Sequence, residues 1–326
     1  MPPAGVPLRL RGRVLSPGRP AVMAVVNRTP DSFYAAARAA DDDAALAAVE
    51  RAVREGADLV DIGGVRAGRG AAVDVQQELD RVLPLVRRVR AEFPDLPVSV
   101  DTWRADVAEA VCAEGVDLIN DTWAGHDPAL VQVAARHGAG LVCSHTGGLP
   151  PRTDPLRPQY PLGGEPQYLL GGEPQYPLGG EQGPAGSGVG ADPLDGVLED
   201  VVTTLTAAAR TAVAAGVDPG SVLVDPTHDF GKNTWHSLHL TRRTDALVAL
   251  GFPVLMALSR KDFVGESLDL PVDDRLEGTL AATAVAAWLG AAVFRTHDVR
   301  ATRRVVDMVA VLRGDRPPAR AIRGLA

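Results

Sequence analysis

The 326-residue chain has only two cysteines, no long hydrophobic run and no excess of positive charge. Cys112 and Cys143 are too few for a disulfide framework, and each lies in an apolar stretch that is typical of a buried free thiol. No segment is apolar for long enough to span a bilayer, and residues 1–21 lack the apolar stretch of a signal peptide. These absences predict a soluble protein of the reducing cytoplasm with no membrane partner.

The formal net charge of −8 argues against a nucleic-acid partner, because phosphate backbones are repelled by an acidic surface at long range. A bound anion must therefore be held by a few local cations. The histidines offer no regular metal-ligand spacing at His126, His137, His228, His236 and His239. The chain also lacks a recognisable Ser-His-Asp or Cys-His nucleophile, so any catalysis must depend on positioning and electrostatics.

Short β-branched runs alternate with longer amphipathic runs eight times, which predicts repeated strand–helix units around a parallel sheet. The predicted strands are Val22–Val26, Leu59–Ile62, Val98–Val100, Asp117–Ile119, Gly140–Cys143, Val222–Val224, Val254–Ala257 and Val293–Arg295. Eight such units indicate closure, so we expect an α/β protein with a (β/α)8 TIM barrel. Barrels of this type reach this length as one unit, so residues 1–326 are predicted to form a single domain.

An octapeptide repeat interrupts this rhythm after the fifth predicted strand. The sequence Pro-Gln-Tyr-Pro-Leu-Gly-Gly-Glu begins at Pro158, recurs at Pro166 with Leu169 in place of proline, and recurs again at Pro174. A segment so rich in glycine and proline cannot form a packed core, so residues 158–192 are predicted to be a flexible insertion. Replication slippage into a tolerant loop is the favoured origin, and a ligand-binding repeat is the alternative.

Polar residues follow nearly every predicted strand. They are Asn27, Asp61, Asp101, Asn120, Asp121, Ser144, His145, Asp225, Ser259, Arg260, Lys261, Arg295 and His297. Because function in such barrels gathers at the carboxyl ends of the strands, this ring predicts a polar ligand in the barrel mouth. Any single aspartate could instead cap the following helix, so the repetition around the ring carries the inference.

Seven motifs also occur in a fixed order between Val22 and Arg313. They are Asn27-Arg-Thr-Pro-Asp-Ser-Phe33, Asp61-Ile-Gly-Gly64, Ser99-Val-Asp-Thr102, Ile119-Asn-Asp121, Asp225-Pro with Asp229-Phe-Gly-Lys232, Ser259-Arg-Lys261, and Gly278-Thr-Leu-Ala-Ala282 with Arg295-Thr-His297. This set resembles the dihydropteroate synthase family, and in particular its divergent second homologue in some bacteria. The resemblance implies a transferase of folate biosynthesis that joins 6-hydroxymethyl-7,8-dihydropterin diphosphate to p-aminobenzoate and releases pyrophosphate.

The resemblance also implies roles for the residues that would hold the pterin. Asp225 would accept hydrogen bonds from the pterin N–H edge, since a carboxylate pairs well with adjacent donors. Asp101 and Asn120 would complete the pterin hydrogen bonds, and Lys261 would bind the ring. Phe230 would form an apolar wall beside it, although a phenylalanine taken alone is more often part of a core.

Loss of the diphosphate leaving group calls for cations. By resemblance, Arg295 and His297 would supply them, together with Lys261 as the third catalytic group. Mg²⁺ would bridge the phosphates, with Asn27 contributing to the metal site. The family also implies a homodimer that associates through its last helices, predicted here at residues 276–289 and 301–313.

The chain departs from the family pattern most at the loop for the second substrate. Where the family continues Glu-Ser-Thr-Arg-Pro-Gly, this chain reads Val65-Arg-Ala-Gly-Arg-Gly70, so arginines occur only at the displaced positions Arg66 and Arg69. Three hypotheses follow: an active synthase with a rewritten p-aminobenzoate loop, a non-catalytic pterin-binding paralogue, and a pterin-dependent methyltransferase module. The retained strand-eight cations favour a diphosphorylated ligand, which counts against the third.

Overall fold

Parallel strands and helices alternate along the computed structural model, which describes residues 5–15, 18–28, 42–68, 70–153 and 194–323. The strands are β1 (Arg9–Leu10), β2 (Arg13–Val14), β3 (Ala21–Asn27), β4 (Leu59–Gly63), β5 (Val98–Asp101), β6 (Leu118–Asp121), β7 (Gly140–Ser144), β8 (Val222–Asp225), β9 (Leu255–Met256) and β10 (Val293–Thr296). The helices are α1 (Asp42–Glu55), α2 (Val75–Glu92), α3 (Ala105–Ala113), α4 (Leu130–His137), α5 (Asp195–Ala214), α6 (Thr234–Arg242), α7 (Thr244–Val248), α8 (Asp262–Leu268), α9 (Leu276–Trp288) and α10 (Val299–Arg313).

Strands β3 to β10 form one parallel sheet in the order β8-β7-β6-β5-β4-β3-β10-β9. An isolated parallel bridge between Val224 and Val254 joins the two ends of this order and closes the barrel. The predicted (β/α)8 barrel is therefore confirmed. Each of its eight strands lies within two residues of the predicted bounds, because the β-branched runs that mark them are the segments buried on both faces.

Helix α2 shows how local sequence fixes an element beside the barrel mouth. Asp74 precedes the helix, and its side chain accepts a hydrogen bond from the Gln77 backbone N–H at 2.8 Å. The Gln77 side chain in turn accepts a hydrogen bond from the Asp74 N–H at 3.0 Å, which completes a capping box. This reciprocal pair fixes the start of α2 and thereby places the buried Glu78 against the loop that follows β4.

The barrel interior changes from apolar to polar along the strands. Side chains two residues apart on a strand share a face, so on β4 Leu59 and Asp61 both point inward, and on β10 Val293 and Arg295 do the same. The apolar layer comprises Ala21, Met23, Leu59, Leu118, Val142, Leu223, Leu255 and Val293. The polar residues lie one step closer to the carboxyl ends of the strands, and the mouth is at that end.

The hairpin of β1 and β2 closes the opposite end of the barrel and was not predicted from the sequence. Leu8 and Leu10 are almost fully buried against the apolar interior layer. Arg11 Nε lies 2.6 Å from Asp117 Oδ1, and the Ser221 hydroxyl donates to the Arg9 carbonyl at 2.7 Å. These contacts seal the amino end of the barrel and leave its carboxyl end for a ligand.

Three further predictions concern features away from the mouth. Cys112 and Cys143 are buried free thiols as predicted, and burial raises the pKa of each to about 12. Among the described residues, no helix combines the length and apolarity needed to cross a bilayer. The predicted repeat insertion, residues 158–192, lies outside the described residues.

Candidate functional site

A buried carboxylate on β4 organises the floor of the barrel mouth. Asp61 is fully buried, and its Oδ1 accepts a hydrogen bond from the Ser99 hydroxyl at 2.6 Å. Its Oδ2 accepts from Asn120 Nδ2 at 3.0 Å and from Arg295 Nε at 2.6 Å. Charge-assisted bonds of this kind are strong, so Asp61 fixes the orientation of both Asn120 and Arg295.

Asp101 receives the second bond from the same guanidinium. Arg295 Nη2 donates to Asp101 Oδ2 at 3.1 Å, and the Thr122 hydroxyl donates to Asp101 Oδ1 at 2.9 Å. Burial raises the pKa of Asp101 to about 7; Arg295 opposes this rise, and the neighbouring Asp61 charge adds to it. The Asp101 carboxyl group is therefore poised to exchange a proton near neutral pH.

Arg295 is held by two carboxylates yet keeps donors for a ligand. Burial lowers its pKa, but the Asp61 and Asp101 charges outweigh this effect and the net shift is upward, so the group stays cationic. Its bonds to these residues use Nε and one N–H of Nη2, while a guanidinium offers further donors in the same plane. A fixed, charged group with unused donors suits a phosphate or diphosphate.

Asp225 lies at the end of β8, and its Oδ1 accepts a hydrogen bond from the Thr227 N–H at 2.7 Å. Burial raises the pKa of Asp225, and the charges of Lys261, Lys232 and Arg295 oppose the rise. Thr227 has a φ of 51°, in the left-handed region that favours glycine, and Asp229 has a φ of 66°. Both residues therefore adopt a strained backbone conformation beside Asp225.

Lys232 stabilises the loop after β8 through hydrogen bonds to backbone carbonyls. Its buried ammonium group donates to the carbonyls of His145 at 2.7 Å, Phe230 at 3.0 Å and Thr227 at 3.2 Å. Burial lowers the pKa of Lys232 to about 7, with the Asp225 charge acting in the opposite direction. The lysine thus ties the strained loop to the end of β7, which holds Asp225 and Phe230 in place.

Lys261 and Phe230 form one wall of the mouth. Lys261 Nζ donates to the His228 carbonyl at 2.5 Å and lies 4.6 Å from the centre of the Phe230 ring. The Phe230 ring meets Trp123 edge to face, with centroids 5.5 Å apart. Phe230 is therefore part of an aromatic surface at the site and not of the barrel core.

The end of β10 carries His297, which the Ser259 hydroxyl contacts at 3.2 Å from Nδ1 and 3.2 Å from the backbone N–H. Burial lowers the pKa of His297 to about 4, with Arg295 the next cause, so the ring is neutral near pH 7 without a ligand. Arg260, the central residue of the Ser-Arg-Lys motif, instead forms a bidentate pair with Asp298, both bonds measuring 2.9 Å. Arg260 thus positions the loop and does not face the mouth as a free cation.

Asn27 ends β3 beside Gly63, where an added Cβ would lie 3.2 Å from Asn27 Oδ1. Within the described part of the chain, this side-chain amide has no hydrogen-bond partner, and no three His, Cys, Asp or Glu residues are grouped as a metal site. Mg²⁺ commonly binds through one or two protein oxygens, substrate phosphates and water. An amide oxygen at the end of β3 therefore fits a magnesium ion that arrives with a diphosphate.

The rewritten loop after β4 presents apolar side chains to the mouth. Val65 and Ala67 pack against a cluster formed by Trp103, Trp123 and Leu149, which also touches Phe230. Arg66 is half-buried, and Arg69 lies outside the described residues. Val65 and Ala67 therefore contribute apolar packing to this part of the site.

Three arginines hold this loop from outside the cluster. Arg81 donates to the Gly64 carbonyl at 2.8 Å, Arg104 to the Val73 carbonyl at 2.6 Å, and Arg152 to the Ala71 carbonyl at 2.6 Å. Arg104 is itself paired with the buried Glu78. These bonds hold Gly64, Ala71 and Val73, which flank the altered sequence.

The structure brings the predicted site residues to one end of the barrel. Asp101, Asn120 and Arg295 belong to one hydrogen-bonded network, and Lys261 contacts Phe230. Asp225, His297 and Asn27 end the strands around them. Sequence reasoning did not assign a role to Asp61, the centre of the network; its position two residues after the interior Leu59 was the available signal.

These features define a (β/α)8 barrel whose mouth brings together buried carboxylates, fixed cations and an aromatic wall. The family model for pterin binding enzymes matches residues 23–161 and 190–297. A protein of Mycobacterium leprae named inactive dihydropteroate synthase 2 is 53% identical over 317 residues, which cover 97% of this chain and 99% of that protein.

Solved structures agree with these sequence matches. Dihydropteroate synthase from Coxiella burnetii in complex with pteroic acid is 29% identical with a TM-score of 0.75, covering 94% of this chain and 98% of that one. Dihydropteroate synthase from Thermus thermophilus in complex with 4-aminobenzoate is 32% identical with a TM-score of 0.74, covering 94% and 99%. The chain belongs to the dihydropteroate synthase family of pterin-binding enzymes.

Proposed function

We propose that this protein binds 6-hydroxymethyl-7,8-dihydropterin diphosphate in the barrel mouth and does not condense it efficiently with p-aminobenzoate. The observation that carries the binding proposal is Arg295, which two carboxylates hold in one orientation while further donors stay available. Such an arrangement binds an anion without the entropic cost of ordering a free arginine. Asp225, on β8 and separated from Arg295 on β10 by β9, would supply the complementary acceptor for the pterin.

The pterin end of the ligand would meet acceptors on two strands, β8 and β6. Asp225 suits the adjacent N–H donors of the ring, and its Oδ2 has no bond to another described residue. Asn120 gives its Nδ2 hydrogen to Asp61, which turns its Oδ1 toward the ligand as an acceptor. Lys261 and Phe230 would lie against the ring and exclude water from one face.

The diphosphate end would meet Arg295 and His297. Asn27 would help to hold Mg²⁺, which when bound neutralises phosphate charge. The anionic ligand would favour the protonated form of His297, because its charge would oppose the burial and the Arg295 charge that lower the pKa of this ring. The same groups would stabilise pyrophosphate as it leaves, so the chain keeps the donor half of the family's chemistry.

The part of the site that would bind the second substrate, p-aminobenzoate, is the part that departs from the family pattern. In the family pattern the loop after β4 provides polar side chains for p-aminobenzoate, whereas here Val65 and Ala67 are packed into an apolar cluster. The 53% identical relative from Mycobacterium leprae carries the word inactive in its name. Both observations favour a pterin-binding paralogue.

Dihydropteroate synthase activity remains the second candidate, and a specific observation favours it. Lys261, Arg295 and His297, the residues that the resemblance makes catalytic, all lie at the mouth in contact with its network or wall. Turnover would require only that the arylamine reach the exocyclic carbon of the bound pterin. The experiment must therefore separate binding from condensation.

The decisive experiment pairs calorimetric binding of the pterin diphosphate in Mg²⁺ with an assay of pyrophosphate release after p-aminobenzoate is added. Asp225→Asn should abolish binding, because the amide presents a donor to the pterin N–H edge. Asp127→Asn, at a loop carboxylate that caps backbone N–H groups, is the matched control and should bind as the unaltered protein does. Binding without release supports the paralogue, binding with release establishes the synthase, and no binding contradicts the proposal.

We also propose that the protein forms a homodimer through α9 and α10. Val285 and Trp288 of α9 are 47% and 39% exposed, and Met308 and Leu312 of α10 are 55% and 62% exposed. Large apolar side chains gathered on two packed helices are typical of a protein interface. This is also where the family resemblance places the dimer contact.

A further inference from the structure

The end of β7 carries a hydroxyl group whose place in the barrel follows from strand register. Ser144 pairs with Asp225 on β8, and in parallel strands such partners point to the same side of the sheet. Val142, two residues earlier, belongs to the interior apolar layer. Ser144 therefore faces the barrel interior, at the mouth and next to Asp225.

This hydroxyl is buried without a partner. Ser144 is 1% exposed, and its Oγ forms no hydrogen bond with any other described residue. Buried hydroxyls are normally hydrogen-bonded, because an unsatisfied one loses its water without compensation. Other hydroxyls at the mouth follow that rule, since Ser99 donates to Asp61 and Thr122 donates to Asp101. Ser144 departs from that rule on a face that points into the mouth beside Asp225, so its position calls for a ligand as the missing partner.

The neighbours of Asp225 decide which ligand group can reach this hydroxyl. A pterin offers an N3–H and a 2-amino group on one edge, and a carboxylate can accept the N3–H and one amino hydrogen. The other amino hydrogen then points away from Asp225 along the sheet. On the β9 side it would meet Leu255, which is apolar, and Lys261, which is a donor. On the β7 side it would meet Ser144.

We propose that Ser144 is a specificity-determining residue that accepts a hydrogen bond from the second N–H of the pterin 2-amino group. This inference rests on the proposed pterin site and adds a contact that none of the family motifs contains. It makes the protein selective for an unsubstituted 2-amino group. A methyl group on that nitrogen would remove the bond and crowd the hydroxyl.

The test compares two ligands, the pterin diphosphate and its N2-methyl analogue, by calorimetry in Mg²⁺. Ser144→Ala should weaken the natural ligand about five- to tenfold, the effect of one neutral hydrogen bond. It should leave the affinity for the analogue unchanged or higher, because that ligand makes no bond to the hydroxyl and is crowded by it. Ser144→Cys has a similar side-chain shape but a weaker acceptor. Its affinity for the natural ligand should lie between that of the unaltered protein and that of Ser144→Ala.

Thr146→Val is the matched control, since the Thr146 hydroxyl is equally buried and unbonded among the described residues. It lines a cavity of about 520 Å³ together with Trp123 and His145, and none of the residues proposed to hold the pterin lines that cavity, so Thr146→Val should change neither affinity. Equal effects of Ser144→Ala on both ligands, or no effect on either, would overturn the inference while the proposed function stands. Failure of the unaltered protein to bind the natural ligand would overturn both.

Discussion

Arg295 joins carboxylates that lie 234 and 194 positions earlier in the chain. Its planar fork reaches both at once, which a lysine ammonium cannot do while still facing a ligand. We expect Arg295→Lys to weaken the pterin diphosphate at least about tenfold, the scale of one lost charge-assisted contact. The unphosphorylated 6-hydroxymethyl-dihydropterin should be affected much less.

Calorimetry with both ligands checks this prediction. Arg87→Lys is the control, because Arg87 forms an exposed pair with Glu114 far from the mouth. An equal loss of affinity for both ligands would show that Arg295 supports the pterin pocket as a whole and does not select the diphosphate.

His297 provides a prediction about pH. Its pKa is about 4 in the free protein, through burial and then Arg295, and a bound diphosphate would raise it. Between these two pKa values the protein takes up a proton on binding, so affinity should fall as pH rises through the bound-state value. Calorimetry at about pH 6 in two buffers of different ionisation enthalpy measures the number of protons taken up on binding.

The variant His297→Gln isolates the histidine from other groups that titrate nearby, such as Asp101. It should take up fewer protons than the unaltered protein, whereas His137→Gln, at an ion pair outside the barrel, should match the unaltered protein. Identical proton uptake in all three proteins would assign the pH dependence to another group.

The strand-end residues were predictable individually, because the polar positions follow the apolar runs directly. The hydrogen-bonded network that joins them was not predictable from the sequence. The bond from Asp61 to Arg295 joins the second and the last barrel strand, and only the pairing of the last strand but one in the sheet order, β10, with the first barrel strand, β3, brings them together. The pairing of Arg260 with Asp298 was also hidden, since a sequence motif does not reveal which of its cations turns away.

Among the elements, the loop after β4 is where function can be tested by exchange. Replacing residues 65–70 by the family's Glu-Ser-Thr-Arg-Pro-Gly restores polar side chains and removes two members of the apolar cluster. We expect pyrophosphate release with p-aminobenzoate to rise at least about tenfold over the unaltered chain, because one well-placed polar group contributes that much to a rate. Affinity for the pterin diphosphate should stay nearly constant.

A control for this exchange replaces only Val65 and Ala67 by serine, which disturbs the packing without restoring the family's arginine and proline. The rate of pyrophosphate release by this double variant should rise little above that of the unaltered chain. If the full exchange also fails while the pterin still binds, the block to condensation lies elsewhere at the mouth.

The amino-terminal hairpin marks the limit of prediction at this scale. Its strands contain two residues each, and the segment reads as alternating arginines and leucines with no β-branched run. Leu8 and Leu10 are buried only because the barrel presents an open apolar end for them to cover. That opening exists only after the eight strands have closed, so the local sequence carries little sign of it.

At the scale of the whole molecule, association should depend on α10. Replacing Met308 and Leu312 together by glutamate puts two charges on the exposed apolar surface of α9 and α10. We expect a monomer by sedimentation, because burying unpaired charges in an interface is costly. The control is Leu268→Glu on α8, at a side chain that is 50% exposed.

That control protein should sediment as the unaltered protein does. Pterin affinity should persist in the monomer, since the mouth lies at the carboxyl ends of the strands and takes no described residue from α10. A chain that is monomeric before any substitution would contradict the proposed dimer.

The closure of the barrel is uneven around its circumference. Between β8 and β9 there is one bridge, from Val224 to Val254, and β9 has only two residues. Asp225 stands on one side of this seam and Lys261 on the other. A ligand bound to both residues would hold β8 and β9 together. Without it, local unfolding of the barrel should begin between these two strands. Because proteases cleave locally unfolded protein, the rate of proteolysis should fall as the concentration of ligand rises.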